Sequence, residues 1–187
     1  MSRFEVAIAG VGGQGVLLAG RLLAETGMKK YNYVTFFPNY ATLMRGWPSE
    51  SITILSDQEI KSALRLEVPS VILMHPQFLS EYQSRVKPGG IFFLDSTLSK
   101  EKVARNDVQT YYLPATKRAT EIGSGRVANL IFLGAYLEAT QALPIEAVED
   151  GLGERSRGRG AEIWETLLPL NKKALREGAK LVRNYKD

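Results

Sequence analysis

The sequence predicts an α/β domain on a mostly parallel sheet, and three observations carry that prediction. The run Phe4-Glu5-Val6-Ala7-Ile8-Ala9 suits a buried strand, Val16 to Ala24 suits a helix, and Gly10-Val11-Gly12-Gly13-Gln14-Gly15 joins them in one βα unit. A second strand, Tyr33 to Phe37, follows that helix, as a parallel crossover requires. Ile91-Phe92-Phe93-Leu94-Asp95 is almost wholly apolar, the mark of a central strand covered on both faces.

The remaining elements follow in order. Phe37 to Pro48 breaks all periodicity with two prolines, a glycine and large aromatics, so it is expected as a long loop sharing a rim with the glycine turn. Ser51 to Ser56 is a third strand, and Val68 to Met74 a short buried one entered through Pro69. His75-Pro76 opens a helix expected from Gln77 to Val86, and Lys87-Pro88-Gly89-Gly90 is expected as a turn. Lys100 to Asn106 is expected to hold a helical turn or two before a last strand, Val108 to Leu113. Pro114 closes that strand, and Ala115 to Ile122 is a helix stopped by Gly123. From Arg126 a stronger helix carries Val127, Leu130, Ile131, Gly134 and Leu137 on one stripe, with Gly134 admitting a close neighbour. A short helix runs from Pro144 to Leu152, and Gly153 to Gly160 is a linker of glycine and arginine. The C-terminal helix is expected to begin at Asn171 as its cap, with Leu170 and Leu175 as a hydrophobic staple and Leu175, Gly178, Leu181, Val182 and Tyr185 facing inward.

Composition excludes several function classes. At 187 residues, 44% hydrophobic and 24% charged, the chain is expected to form one domain, residues 1–187, with a core that needs no staples. It has no cysteine, which removes disulfides, thiolate catalysis, cysteine-ligated zinc and iron-sulfur clusters. No secretory pattern opens the chain and no apolar run spans a membrane, so a cytoplasmic setting is expected. The net charge of +4 comes from Lys and Arg spread along the chain, concentrated only at Arg155, Arg157 and Arg159, a solvated face. Without a basic stripe interleaved with aromatics, neither nucleic acid nor a membrane is the expected partner.

The glycine turn is the expected contact surface. Gly10, Gly12 and Gly15 fit the dinucleotide pattern, which also needs an acidic residue roughly 20 residues further on, at the end of the second strand. No Asp or Glu lies between Glu25 and Glu50, so a free-standing nicotinamide-binding protein is the competing reading. What remains is a turn whose free N–H groups can hold an anion, a carbonyl or a partner's carboxylate. The segment is neither a Walker loop nor, elsewhere, a nucleophile elbow.

Few other residues carry chemistry. His75, the only histidine, has no orienting acid in sequence and is expected to cap a helix start, while Asp95 is expected to bind main-chain N–H groups of its own turn. Arg45 can grip a carboxylate or phosphate with two parallel hydrogen bonds or form a salt bridge. Asn129 sits on an apolar helix, where a buried amide must find partners, and a tie to the glycine turn is expected. Ser124-Gly125-Arg126 is a weaker anion candidate at another helix start.

Ala9 to Gly15 with its apolar helix resembles the gamma subunit of the 2-oxoacid:ferredoxin oxidoreductases. Further matches are Tyr40 with Arg45-Gly46, Ser56-Asp57-Gln58-Glu59-Ile60, Pro88-Gly89-Gly90 with Asp95-Ser96, Pro114-Ala115-Thr116, Arg126-Val127-Ala128-Asn129-Leu130 leading to Leu133-Gly134-Ala135, and Asn171 with Ala174-Leu175 and Gly178. They keep their order from residue 5 to about residue 180. The resemblance implies a three-layer α/β/α domain, like domain III of pyruvate-ferredoxin oxidoreductase. It also implies a multisubunit enzyme that turns a 2-oxoacid into an acyl-coenzyme A on thiamine diphosphate with magnesium and passes electrons through iron-sulfur clusters to ferredoxin. This chain would bind no cofactor alone, pack on the alpha subunit beside beta and delta subunits, and help frame coenzyme A, dimerising when isolated if at all. Gly10, Gly12, Gly13, Gln14, Gly15, Tyr40, Arg45 and Asn129 would form the cofactor- or partner-facing set, with no catalytic residue and no metal. Ala9 and the Ser-Asp-x-Glu-Ile segment resemble the 2-oxoglutarate group most, with the indolepyruvate and branched-chain enzymes as alternatives.

Overall fold

The computed structural model describes residues 1–40, 48–155 and 161–185, with only the backbone at Tyr40, Arg155 and residues 161–164. Six strands form one sheet: β1 (Arg3–Gly10), β2 (Tyr33–Tyr40), β3 (Ser49–Ser56), β4 (Val68–Leu73), β5 (Val86–Asp95) and β6 (Gln109–Leu113). Their spatial order is β2-β3-β1-β4-β5-β6. Only β3 runs against the rest: β1, β4, β5 and β6 pair in parallel, while β3 lies antiparallel between β1 and β2.

That insertion corrects the expectation of a parallel β1–β2 pair. The link between Tyr40 and Ser49 is shorter than the roughly dozen residues a parallel crossover needs, so the chain returns as a hairpin, and β3 takes the place beside β1. β2 also extends past the expected strand end, through Pro38 to Tyr40, because an edge strand accepts a residue without an N–H on its free side. The rest of the expected loop, residues 41–47, lies outside the described residues.

Alternation along the strands divides the core. Val6 and Ile8 point to a face covered by α1 (Val16–Gly27), α3 (Ala115–Ile122), α4 (Ala128–Thr140), α5 (Ile145–Arg155) and α6 (Ala161–Arg183). Ala7 and Ala9 point to the other, where the helical layer thins to a 3₁₀ turn (Pro76–Phe78) and α2 (Leu79–Gln83). The three layers are present, and the second is built mostly of loops.

On the thick side α4 is the middle of the stack. Every residue from Ala128 to Leu137 is buried, so the expected single stripe gives way to a helix apolar on all sides, as befits one enclosed by sheet and helices. α6 crosses it where a side chain on Gly134 would overlap the Leu175 carbonyl and one on Gly178 the Ile131 carbonyl. The two backbones touch. Tyr185, just past α6, then seals the β6 edge: its hydroxyl accepts from the Tyr112 N–H (3.1 Å) and donates to the Thr110 carbonyl (3.3 Å).

Other expectations are corrected. α6 begins at Ala161 and continues through Pro169, so Asn171 is an interior, buried helix residue rather than a cap. Leu168 and Leu170 pack on the core on either side of the proline, and that burial outweighs one lost intrahelical hydrogen bond. Gly153 to Arg155 belong to α5, and residues 156–160 of the expected linker lie outside the described residues. The helix expected to Val86 stops at Gln83, and Lys100 to Asn106 is irregular, with the Val103 N–H given to the Tyr112 hydroxyl (2.9 Å). Lys87 to Gly90 is a bulge inside β5, since Val68 pairs with Val86 but Ser70 with Ile91.

The α4–α6 crossing sets a test. Gly178→Ala is expected to lower stability by at least the ~1–3 kcal/mol typical of an overpacked core, because rigid backbone must give way. A urea midpoint equal to that of the parent chain would refute the crossing.

Candidate functional site

The site expected from sequence lies at the carboxyl ends of the parallel strands. Gly10 is in register with Ser49, and Ser49 with Tyr40, so the end of β2 stands two strands from the glycine turn on the same edge. β4 delivers Met74-His75 there, β5 delivers Asp95 and β6 delivers Pro114. Tyr40 is thus placed by its backbone alone, and Arg45 lies outside the described residues.

The glycines of the turn are glycines for different reasons. Gly13 (φ 88°) and Gly15 (φ 76°) occupy the left-handed region. A side chain on Gly10 would overlap Gln14, and one on Gly15 would overlap the amide of Asn129. Gly12 differs. It is exposed, has no positive φ, and a Cβ there meets nothing within 4 Å, so nothing inside the described chain demands a glycine.

Two amides hold the turn. Gln14 accepts the Val11 N–H at its Oε1 (2.9 Å) and donates its Nε2 to the Met74 carbonyl (3.2 Å), closing the turn and clipping it to the end of β4. Met74 N–H in turn donates to the Ala9 carbonyl (2.8 Å). Asn129, 2% exposed, donates Nδ2 to the Gly15 carbonyl (3.1 Å), the expected tie between α4 and the turn. Its Oδ1 has no partner among the described residues. Neither Gln14 nor Asn129 is free to reach outward, whereas the backbone of Gly12 and Gly13 is exposed.

The groups with acid–base chemistry are engaged in capping. His75 accepts the Gln77 N–H at Nδ1 (3.3 Å), as expected of a helix-start residue. Asp95, 1% exposed, accepts the Thr97 N–H (2.9 Å) as expected, and also the N–H (3.1 Å) and hydroxyl (2.6 Å) of Thr116. That second bond was not legible, although its signal was present: α3 opens on Pro114, which has no side chain to cap it. Ser124 caps the Arg126 N–H (3.3 Å). Sequence also missed Glu50, which stands beside Ala9 in the ladder and pairs with Arg85. Among the described residues no three His, Asp or Glu side chains gather as a metal site would need. No helix among them is long and apolar enough to cross a membrane.

Comparison with known proteins then decides the family. The model of the pyruvate ferredoxin/flavodoxin oxidoreductase family matches residues 5–181. The chain belongs to this family. The 2-oxoglutarate synthase subunit KorC of Methanothermobacter marburgensis is 32% identical over 159 residues, covering 80% of this chain and 84% of the relative. The common gamma subunit of the pyruvate/ketoisovalerate oxidoreductases of Thermococcus kodakarensis is 29% identical over 161 residues, 82% and 87% of the two chains. In fold, the keto/oxoacid ferredoxin oxidoreductase gamma subunit of Geobacter sulfurreducens superposes with a TM-score of 0.82 at 26% identity, over 97% of this chain and 99% of that one. The 2-oxoglutarate:ferredoxin oxidoreductase of Magnetococcus marinus, solved with 2-oxoglutarate, coenzyme A and succinyl-CoA, gives 0.85 at 19% identity over 100% of this chain and 32% of that longer one. The chain is a gamma-type subunit of a 2-oxoacid:ferredoxin oxidoreductase, a multisubunit enzyme.

Within that family fold, Gln14→Glu tests the clip. The new carboxylate can still accept from Val11 but faces the Met74 carbonyl without a proton to give, a cost of about 1–3 kcal/mol near neutral pH. Hydrogen bonding to the neutral acid raises its folded-state pKa above the unfolded value near 4.3, so the variant regains stability relative to the parent as pH falls toward 4. Melting temperatures of both chains at pH 7.5 and 4.5 check this; a gap that does not narrow on acidification would refute it.

Proposed function

We propose that this chain, as one domain over residues 1–187, is the gamma subunit of a 2-oxoglutarate-type oxidoreductase and performs no bond-breaking step itself. Its glycine edge packs on the alpha subunit and frames the coenzyme A site. Thiamine diphosphate, magnesium and the iron-sulfur clusters are carried by companion subunits, beta and delta among them, in the cytoplasm. The observation that supports this reading is Gly12: it is exposed, has no positive φ and meets no described residue within 4 Å of a Cβ, so no contact among the described residues calls for a glycine there, as close approach of an outside group would. A relative named 2-oxoglutarate synthase at 32% identity supports the substrate class, against 29% for the pyruvate/ketoisovalerate relative. The capping bonds of His75 and Asp95 support a non-catalytic role.

The nicotinamide reading is disfavoured by the hairpin. A dinucleotide site needs a ribose-binding acid at the end of the parallel strand beside β1, and here that neighbour is the antiparallel β3, whose nearby Glu50 is held by Arg85.

Gly12→Leu tests the proposal, because no described residue lies within 4 Å of a Cβ at that position. The variant is expected to fold with an unchanged melting temperature and to weaken assembly with the alpha subunit, or to raise the coenzyme A KM of the assembled enzyme, by tenfold or more. Normal assembly and normal coenzyme A dependence would overturn it.

A further inference from the structure

Among the arginines whose side chains are described, Arg126 alone pairs with no carboxylate; every other one does. It is exposed, and its guanidinium makes no hydrogen bond within the described residues. The place it occupies is a poor one for a cation. Arg126 lies in the 3₁₀ turn Gly125–Val127 that leads into α4, so its charge stands at the amino end of that helix, where the helix dipole disfavours it. An anion from outside the chain would remove that cost.

Arg126 also stands beside the glycine turn. It precedes Asn129 by three residues, a spacing that shares one helix face, and Asn129 gives its amide to the Gly15 carbonyl (3.1 Å). α1 starts from that turn with neither a side-chain cap nor an acid in its first turn, and α4 starts likewise. Glu50 and Asp95, the carboxylates that β3 and β5 bring to this edge, are taken up by Arg85 and by the N–H groups of Thr97 and Thr116. Two uncapped helix starts and one unpaired guanidinium therefore meet where the strand carboxylates are already engaged.

Asn129 narrows the kind of anion. Its amide fills the space that a side chain on Gly15 would take, at the start of α1, and its Oδ1 is buried with no partner among the described residues. A buried acceptor needs a donor. A carboxylate or a phosphodiester brings none, whereas a phosphate monoester, with a second pKa of about 6, keeps a hydroxyl proton when held beside an acceptor.

We propose that Arg126 is a specificity-determining residue of the glycine edge, its guanidinium pairing with the phosphate monoester on the ribose of coenzyme A. The inference rests on the reading that this edge frames coenzyme A, and adds to it the group that is recognised.

The test compares coenzyme A with dephospho-coenzyme A, which lacks that phosphate, on the assembled enzyme. Arg126→Gln is expected to raise the KM for coenzyme A by about tenfold or more, as loss of a charge-assisted contact does, and to leave the KM for dephospho-coenzyme A at the parent value. The effect falls on KM rather than kcat, Arg126→Lys restores part of it, and the free Arg126→Gln chain melts no lower than the parent. An unchanged KM for coenzyme A would overturn the inference. So would an equal rise for both thiols, the mark of an altered interface rather than a lost phosphate contact. If Gly12→Leu impairs coenzyme A dependence while Arg126→Gln does not, the glycine edge keeps its role and only Arg126 loses its own; if neither variant changes assembly or either KM, the underlying reading falls as well.

Discussion

The contact on which the glycine turn depends is the one between Asn129 and Gly15. A left-handed glycine whose missing side chain makes room for a buried amide fixes the height at which α1 meets α4. Further along α4, Gly134 and Gly178 let α6 press backbone against backbone. A methyl group at either glycine would force the α4 and α6 backbones apart. One helix, α4, thus carries both the amide that braces the turn and the close crossing with α6. Both glycines of the crossing act through the absence of atoms, which leaves no flexible side chain to absorb an error.

Much of this was legible in the sequence. The first βα unit, the central strand at Ile91 to Asp95 and the inward stripe of α6 are local patterns, and local patterns survive folding. Gly134, Gly178 and Asn129 were legible for a related reason: a glycine or an amide in an apolar helix is an anomaly that asks for a neighbour. What failed was non-local or competitive. The position of β3 depends on pairing rather than on its own residues, and no local signal tells a strand which edge it will join. Asn171 has the form of a cap, but the apolar residues on both sides of Pro169 bury well enough to keep one helix. The Asp95–Thr116 bond joins residues 21 positions apart and needed the fold before it could be read.

The two faces of the sheet solve the burial problem differently. The thick side uses apolar helices and close packing, with Tyr136 so enclosed that burial pushes its phenol well above the ordinary tyrosine range. The thin side has too few helices to do the same over β1 and β3, and it covers them with loops tied down by Arg65 and Arg85 to Glu5 and Glu50. Tyr82 sits in that network, its phenol also held protonated, first by burial and then by the Glu50 carboxylate beside it. Directional ion pairs replace packing where packing atoms are scarce.

The two ends of the parallel strands are made rigid by different means. At the glycine edge the backbone of Gly12 and Gly13 is exposed, and two amides brace the turn: Gln14 within it, bonded to the Met74 carbonyl just past β4, and Asn129 from α4. At the opposite edge the guanidinium groups of Arg65 and Arg85 hold the carbonyls of Leu64, Arg65 and Leu66. Amide-to-carbonyl bonds thus order one edge and guanidinium groups seated on buried carboxylates the other, each built from what the neighbouring strands supply.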